Sequence, residues 1–430
     1  MKKTIFFAGL LLAAQILAAQ SPRPAFPLIA ENPDRAACNM HSYEFGPIVD
    51  TPAPEGYVPV YISHYGRHGS RHDISASSFQ DAIKLLSRAD SLGQLTAAGK
   101  TLLSHVKAVA DEHEGMGGEL TLRGGREHQQ LSRRMTGRFP AVFTDGKKVH
   151  AMASTVQRCI VSMANFVAAL KGEVPQIDVE MVTGERYSPV VRPGGSGTPD
   201  PGRRPSGGVG SPAGSSSRGP RKQAPLQGDY SAFLGKVFVS PDLAPGDRDA
   251  LVRGVFKAGG LCQDLDFPDI DIFRNYFTTE ELYSLWEQEN ESLYKRWGNS
   301  VESAGSYGQK ALPLLQDIID KADAALDGSE VAADLRFGHD MGYMALCNLL
   351  GIATRDGGSY SVSEAAQHWF SFDMVPMAAN LQFIFYRNAS GEVLVKVLRN
   401  EEEVRLPAIP SVSGPYYDWS VFKGHFPILQ

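Results

Sequence analysis

Short apolar runs alternate along the chain with segments that carry apolar residues at helical spacing. Residues 57–63 are rich in β-forming side chains and predict a buried strand. The periodicity that follows predicts, in order, helices over 79–86, 101–110 and 126–139, a strand over 148–152 and a helix over 156–170. This alternation is typical of α/β proteins, so we predict a parallel sheet in a three-layer core with helices on both faces.

The middle of the chain has a mostly helical pattern. Between residues 230 and 324, five aromatic residues indicate packing inside a helical core: Phe277, Tyr283, Trp286, Tyr294 and Trp297. We assign residues 181–324 to a smaller, mostly helical inserted domain.

Strand patterns return after this domain. Residues 333–337 predict a further strand, and residues 381–386 with 392–398 predict a hairpin around a short polar turn. The α/β core is therefore expected to consist of residues 20–180 and 325–430.

Residues 193–225 differ in composition from everything around them. They consist mainly of Gly, Pro, Ser and Arg, with one valine and no aromatic residue. Such a segment cannot bury a core, so we predict a disordered insertion. Three interpretations of this segment remain open: a flexible basic arm, a plain linker, or the product of a local frameshift in a GC-rich gene.

The N-terminus has the pattern of an export signal. Lys2 and Lys3 precede an apolar run that ends at Leu17, and Ala18-Ala19 offers a cleavage site with small residues. The alternative is a membrane anchor, but the run is short for a bilayer span and a Pro-Arg-Pro segment follows it. We therefore expect a signal peptide over residues 1–19 and an exported protein, periplasmic or secreted, without a stable membrane anchor.

Composition narrows the class of partner. The 430 residues are 43% hydrophobic and 21% charged, with a net charge of -6, which argues against a nucleic-acid binder. The four cysteines form no CxxC pair, so a structural zinc site is not expected. Export permits disulfides and their pairing stays open, although Cys159 and Cys347 lie in apolar helix-like segments that suit buried free thiols.

Two arginines flank a histidine directly after the first predicted strand, in the sequence Arg67-His68-Gly69-Ser70-Arg71. Guanidinium groups present forked donors that match phosphate oxygens and keep their charge. Glycine lets a bulky anion approach the backbone, and the imidazole can be nucleophile, acid or base. The segment predicts an oxyanion site, with a solvated basic strand end as the alternative.

A second polar motif follows a later strand. His339 and Asp340 come after Gly338, at the carboxyl end of the strand over 333–337. Open α/β sheets place their ligands at this end of the strands. A histidine can bind a phosphate oxygen, and a carboxylic acid can protonate a leaving alkoxide.

Taken together, these motifs resemble the histidine acid phosphatase family, branch 2 of the histidine phosphatase superfamily. The nearest group in it is that of the multiple inositol polyphosphate phosphatases and phytases. Besides the two motifs, further segments fit family elements: Leu95–Gly99, Glu119–Thr121, Ser154–Cys159 and Pro376–Gln382. The resemblance extends over residues 55 to 175 and 330 to 400.

The resemblance implies a two-step phosphatase. His68 would attack phosphorus and become phosphohistidine, and Asp340 would protonate the leaving oxygen and then help to activate water. The phosphoryl oxygens would be held by Arg67, Arg71, Arg158 and His339. No metal ion and no other cofactor is expected, because the arginines would take the place of magnesium.

The implied substrate is a small phosphate ester, and a multiply charged one such as phytate or another inositol polyphosphate suits an arginine-lined pocket. The alternatives are a broad-specificity or sugar-phosphate acid phosphatase, a mutase of the wider superfamily, and a non-catalytic protein that binds phosphorylated ligands. Regiospecificity and oligomeric state stay open.

Some residues depart from the family pattern. His72-Asp73 follows Arg71 where many members have a proline shortly after this arginine, and His339-Asp340 stands where the inositol polyphosphate branch often has His-Ala-Glu. His64, His68 and His72 are spaced four apart, but a strand that passes into a glycine loop would not place them on one face. We therefore expect no metal site there.

Overall fold

The structure is a computed structural model that describes residues 22–75, 77–194, 224–240, 245–267 and 269–426. The expected signal peptide lies outside these residues, as does nearly all of the expected insertion at 193–225. Among the helices in the described ranges, none combines the length and apolar character that crossing a membrane requires.

A mixed sheet forms the centre of the fold. Its strands in the described chain are β1 (Val58–Arg67), β2 (Lys148–Ala153), β3 (Asp178–Thr183), β4 (Val331–Gly338), β5 (Asn380–Arg387), β6 (Val393–Arg399), β7 (Glu402–Glu403) and β8 (Tyr416–Asp418). They lie in the order β3-β2-β4-β1-β5-β6-β7, and β8 also pairs with β6. The neighbours β3, β2, β4 and β1 run parallel.

The C-terminal strands are antiparallel. Strand β5 runs opposite to β1, and β5 and β6 form the predicted hairpin. The sheet is thus mixed: the predicted parallel order describes β3, β2, β4 and β1, and the predicted hairpin adds antiparallel strands, because a short turn can join only antiparallel neighbours.

Fifteen α-helices surround the sheet in the described residues. They are α1 (Ala25–Glu31), α2 (Ser77–Ser91), α3 (Ala97–His113), α4 (Leu122–Arg138), α5 (Gln157–Glu173), α6 (Ser188–Val191), α7 (Ser231–Val237), α8 (Pro245–Leu265), α9 (Ile272–Tyr276), α10 (Thr279–Trp297), α11 (Leu312–Leu326), α12 (Asp340–Leu349), α13 (Ala365–His368), α14 (Ser371–Met374) and α15 (Trp419–His425). Short 3₁₀ helices occur at Pro33–Met40, Pro140–Val142, Glu185–Tyr187, Val301–Ser303, Gly308–Ala311 and Val362–Glu364.

The four helices predicted before residue 175 are α2 to α5, and their ends differ from the predicted ones by up to five residues. Capping explains where two of them begin. The side chain of Thr96 accepts a hydrogen bond from the Gly99 N–H at the start of α3, and Thr121 does the same for Gly124 in α4. Such bonds satisfy backbone donors that the first helical turn leaves free.

Apolar cores cover both faces of the sheet. Alternate residues of β1 and β5 enter different cores, so that Tyr61 and Phe385 pack in one and Ile62 and Ile384 in the other. Helices α11 and α12 contribute to the first core, and α4 and α5 to the second. The predicted three-layer α/β fold is confirmed.

A helical region continues the first core. Helix α8 packs against α2, α3, α9 and the 3₁₀ helix Pro33–Met40, and α10 packs against α1 and the same 3₁₀ helix. All five aromatic residues predicted to pack in this region are buried. The four cysteines are also buried, and each is a free thiol.

The parallel strands bring distant polar residues to one edge of the sheet. Arg67 at the end of β1 pairs with Gly338 at the end of β4, and Ala153 at the end of β2 pairs with Phe337. The segments that follow these three strands therefore leave the sheet side by side, and they carry the motifs singled out in the sequence.

Candidate active site

Backbone hydrogen bonds on both sides hold His68 as it leaves β1. Its N–H donates to the Gly338 carbonyl at 3.0 Å, and its own carbonyl accepts from the Ala378 N–H at 3.0 Å. The preceding Arg67 N–H donates to the Ala379 carbonyl at 2.8 Å. The histidine is thus tied to the end of β4 and to the segment that leads into β5.

The imidazole of His68 is oriented by its own loop. Nδ1 lies 3.0 Å from the Gly69 carbonyl oxygen, which can only accept, so Nδ1 carries the hydrogen and Nε2 keeps its lone pair. The side chain is only 2% exposed. Burial, together with the charges of Arg158, Arg67 and Arg71, holds the pKa of His68 well below its usual range. The ring is neutral, as a nucleophile must be.

Arg67 is fully buried and only partly satisfied. Its Nη1 donates to the carbonyl oxygens of Asn39 at 2.6 Å and Val375 at 2.8 Å. Its Nη2 lies 3.2 Å from Oδ2 of Asp340. Within the described chain, Nε and Nη2 make no hydrogen bond. The guanidinium is therefore fixed at one nitrogen and has free donors for an oxyanion.

Arg71 and Arg158 add positive charge beside His68. Nη1 of Arg71 donates to the His72 carbonyl at 2.8 Å, and Nη1 of Arg158 lies 3.4 Å from the Gly118 carbonyl. In the described chain the Nε atom of each has no partner. Burial and the mutual repulsion of the arginines lower their pKa values. A bound anion would relieve this repulsion.

His339 lies opposite His68, with ring centroids 5.7 Å apart. Its Nε2 is 2.9 Å from the Ser154 hydroxyl oxygen, at the end of β2. Burial, followed by the charge of Arg158, lowers the pKa of His339 to about 3. The neutral ring can donate a hydrogen bond to an anion without adding a charge of its own.

Asp340 begins helix α12 next to this group. Oδ1 accepts a hydrogen bond from the Met341 N–H at 2.9 Å, and Oδ2 faces Arg67 and the Asn39 side-chain amide. Burial alone would raise the pKa of Asp340, but the charge of Arg67, with a smaller contribution from Arg71, outweighs it and the pKa lies below its ordinary value. The carboxyl is thus ionised in the free protein.

All six residues expected at the site therefore meet around one position beside His68. His64 does not belong to this group. It is buried in β1 against Phe166 and Phe337. His72 packs on His113 instead, with ring centroids 5.5 Å apart. Among the residues the structure describes, no three His, Cys, Asp or Glu side chains are grouped so that they could hold a metal ion.

Arg192 is a further cation at the site that the sequence did not reveal. It follows α6, where the Val191 carbonyl accepts a hydrogen bond from the Tyr65 hydroxyl at 3.0 Å. Its charge lowers the pKa values of His339 and Arg158, and its Nε is buried without a partner in the described chain. A single arginine beside a Gly/Pro-rich segment carries no motif that would have identified it.

Two acidic residues lie beneath residues 67–71, which we call the phosphate loop after the oxyanion site that their sequence predicts, and these acidic residues were also not predicted. Glu127 on α4 accepts hydrogen bonds from the Ser70 N–H and the Ser70 hydroxyl, both at 2.7 Å. Asp264 on α8 lies 2.8 Å from the Ser42 hydroxyl oxygen. Both carboxyls are buried. They support the loop from beneath rather than bind an anion, so neither belongs to a motif typical of phosphate ligands.

Comparison with solved structures identifies proteins of the same architecture. The multiple inositol polyphosphate phosphatase of Bifidobacterium longum, in complex with inositol hexasulfate, superposes with a TM-score of 0.68 at 18% sequence identity, over 90% of this chain and 97% of that one. Its apo form gives a TM-score of 0.67. The phytase from D. castellii gives 0.63 at 12% identity, over 91% of this chain and 84% of its own.

Comparisons of the sequence with protein-family models and with curated proteins find no match. The similarity thus lies in the three-dimensional arrangement, which spans nearly the whole chain. This chain has the fold of the histidine acid phosphatases.

Proposed function

We propose that this protein is a phosphatase that hydrolyses phosphomonoesters through a phosphohistidine at His68. One observation supports this most strongly. A neutral, buried imidazole with a free Nε2 lies among three arginines that have unused donors, beside a histidine and a carboxyl group. Donors fixed in place before the reaction stabilise developing charge without reorganising, which is usually the largest catalytic contribution.

The residues account for both steps. In the first, the Nε2 lone pair of His68 forms a bond to phosphorus while the bond from phosphorus to the ester oxygen breaks. Asp340 gives a proton to the departing oxygen. It is protonated in the complex, because the bound phosphoryl group offsets the charge of Arg67. Arg67, Arg71, Arg158 and His339 hold the remaining phosphoryl oxygens.

In the second step, water attacks the phosphohistidine. Asp340, now a carboxylate, accepts a proton from the water as the new phosphorus–oxygen bond forms. The nitrogen–phosphorus bond breaks, inorganic phosphate leaves, and Nε2 of His68 regains its lone pair. The carboxyl is protonated again and can serve the next cycle.

The charge of the site supports a polyphosphorylated substrate. The charge of Arg192 acts on His339 and Arg158, and it adds a cation with which a second anionic group of the substrate could pair. Inositol polyphosphates, including phytate, present such neighbouring groups. One structural neighbour is a multiple inositol polyphosphate phosphatase in complex with inositol hexasulfate, and another is a phytase. Export of the protein belongs to the same proposal and rests on the composition of residues 1–19.

The deciding experiment measures phosphate release by the purified chain from phytate and from a panel of simple aryl and sugar phosphates. We expect hydrolysis of phytate at the highest kcat/KM, and no inhibition by EDTA. A higher kcat/KM for a sugar phosphate would favour the broad-specificity alternative. Binding of phytate without any turnover would favour a non-catalytic binding protein, and loss of activity in EDTA that a divalent ion restores would contradict the mechanism.

A further inference from the structure

A chain of four buried oxygen-bearing side chains runs beneath the proposed phosphate loop. The hydroxyl oxygens of Ser42 and Ser70 lie 3.1 Å apart. The Ser70 oxygen is also 2.7 Å from Oε1 of Glu127, and the Ser42 oxygen is 2.8 Å from Oδ1 of Asp264. Two carboxyl groups are thus joined through two hydroxyls, and all four side chains are at least 97% buried.

The contacts among these four side chains set how many hydrogens they need. Three oxygen–oxygen contacts of hydrogen-bond length need three hydrogens. The two serines supply two, and ionised carboxylates supply none. With both acids ionised, one contact would bring lone pairs together in a buried place, where an unsatisfied polar contact is costly. A proton on one of the two carboxyl groups supplies the third hydrogen and removes this conflict.

The surroundings of the two acids differ, and the difference shows where the proton lies. Burial raises the pKa of Glu127 as well, but Glu127 accepts the backbone N–H groups of Ser70 at 2.7 Å and of Tyr43 at 3.0 Å, which stabilise its ionised form. Oδ2 of Asp264 has no hydrogen-bond partner in the described chain. An unpartnered oxygen suits the carbonyl of a neutral acid better than one end of a charged carboxylate.

We propose that Asp264 is protonated in the folded protein and acts as a positioning residue for the phosphate loop. Its O–H donates to Ser42, Ser42 donates to Ser70, and Ser70 donates to the ionised Glu127. The ordered chain fixes Ser70, and with it the neighbouring backbone of the loop that carries His68 and Arg71. The inference concerns the site of the proposed function and rests on it only where anion binding is measured.

The charged groups around Asp264 are consistent with this assignment. Burial and the negative charge of Glu127 raise the pKa of Asp264 to about 8, against smaller opposing effects of its hydrogen bonds with Ser42 and Ser70 and of the charge of Arg123 on α4. Arg67 and Arg71 of the phosphate loop also face it, and an ionised Asp264 would raise the pKa of each. From the segment before β1, His41 reaches the neighbouring Gln263 at 2.9 Å. None of these groups forms a hydrogen bond or an ion pair with Asp264 in the described chain.

Infrared spectroscopy tests the proton directly. The full-length protein should show a carboxylic acid C=O band at pH 6 that disappears by pH 9, and that shifts when aspartate, but not glutamate, carries ¹³C. Asp264→Asn should lack the band, whereas Asp266→Asn, which removes a half-exposed carboxyl two residues away, should keep it. A band that shifts only with labelled glutamate would place the proton on Glu127 and overturn the assignment. So would the absence of any band at pH 6.

The link to the phosphate loop is tested with sulfate, a phosphate analogue whose charge stays constant between pH 6 and 9. If only the protonated form binds, the affinity of the wild-type protein should fall about tenfold one pH unit above the pKa of Asp264. The affinity of Asp264→Asn should stay level over the same range, because the amide donates to Ser42 at every pH. An equal fall in both proteins would contradict the positioning role.

The two proposals fail in distinguishable ways. If neither the wild-type protein nor Asp264→Asn binds sulfate at any pH, the proposed anion site is wrong. The infrared band still tests the protonation of Asp264 in that case. If Asp264→Asn does not fold, the isotope-edited spectra of the wild-type protein remain sufficient. A band from labelled aspartate that persists at pH 9 would contradict the titration in either case.

Discussion

Nη2 of Arg67 lies 3.2 Å from Oδ2 of Asp340, although 273 residues separate the two in the sequence. The parallel pairing of β1 with β4 creates this contact, since Arg67 pairs directly with Gly338. The contact makes the protonation of Asp340 depend on what Arg67 binds. In the proposed mechanism the carboxyl is ionised before substrate binds, and a bound phosphoryl group, by offsetting the charge of Arg67, allows it to take up a proton.

Asp340→Asn should slow substrates with poor leaving groups far more than aryl phosphates. General acids contribute roughly 10²–10⁴-fold to such steps, so we expect losses of this order for alkyl phosphates. Aryl phosphates need little protonation of the leaving oxygen and should lose much less. The measurement is kcat for a series of leaving groups, and equal losses across the series would argue against an acid role.

The pH dependence of kcat should reflect the pKa values of His68 and Asp340 in the complex. Turnover needs neutral His68, which exists above its pKa, and protonated Asp340, which exists below its pKa in the complex. Because the pKa of His68 lies well below its usual range, the acid limb should lie at low pH. The optimum should therefore be acidic, and Asp340→Asn should flatten the alkaline limb for aryl substrates. An optimum above neutrality would contradict this assignment.

Gly124 should tolerate no side chain, because it packs directly against the phosphate loop. A Cβ atom there would lie 2.2 Å from the Ser70 carbonyl oxygen, which belongs to the backbone and cannot turn away. Gly124→Ala should cost about 1–3 kcal/mol in the free energy of unfolding and reduce turnover.

The same helix provides the control. Gly137 also lies in α4, and a Cβ at this position would meet nothing within 4 Å. Gly137→Ala should therefore stabilise the protein by up to about 0.5–1 kcal/mol, through helix propensity alone. Denaturant unfolding of both variants checks the pair, and similar effects of both substitutions would show that the close approach of α4 to the loop is not important.

Arg192→Ala should distinguish polyphosphorylated from simple substrates. Loss of a charge-assisted hydrogen bond, worth about 1.5–3 kcal/mol, should raise KM for an inositol polyphosphate about tenfold or more. KM for an aryl phosphate should change little. Arg186→Ala removes an exposed positive charge nearby and serves as the control. Equal changes in KM for both substrate classes would show that Arg192 does not contact a second anionic group.

Much of the sheet and the motifs of the candidate site could be predicted from the sequence, because polar residues after glycine-bounded strands are a local signal. The predicted first strand ended at residue 63, whereas β1 continues to Arg67. Its last residues include polar His64 and Arg67, which are buried only because neighbouring strands and loops satisfy or cover them. No local pattern reveals such partners.

The remaining differences also arise from long-range structure. The direction of β5 relative to β1 depends on how the chain returns to the sheet, and an apolar run does not encode it. Asp264 and Glu127 lie on separate helices and meet only through two serines from other segments. Single charged residues in helical patterns are typical of solvated faces, so neither suggested a buried pair.

The most direct test of the account is to trap the covalent intermediate. Turnover of the wild-type protein is stopped in alkali, in which phosphohistidine survives, and the peptides are analysed by mass spectrometry. We predict a phosphoryl group on His68 that chases to inorganic phosphate, with neither label nor turnover in His68→Ala. Substantial phosphatase activity in His68→Ala, or a phosphoryl group on another residue, would contradict the central claim.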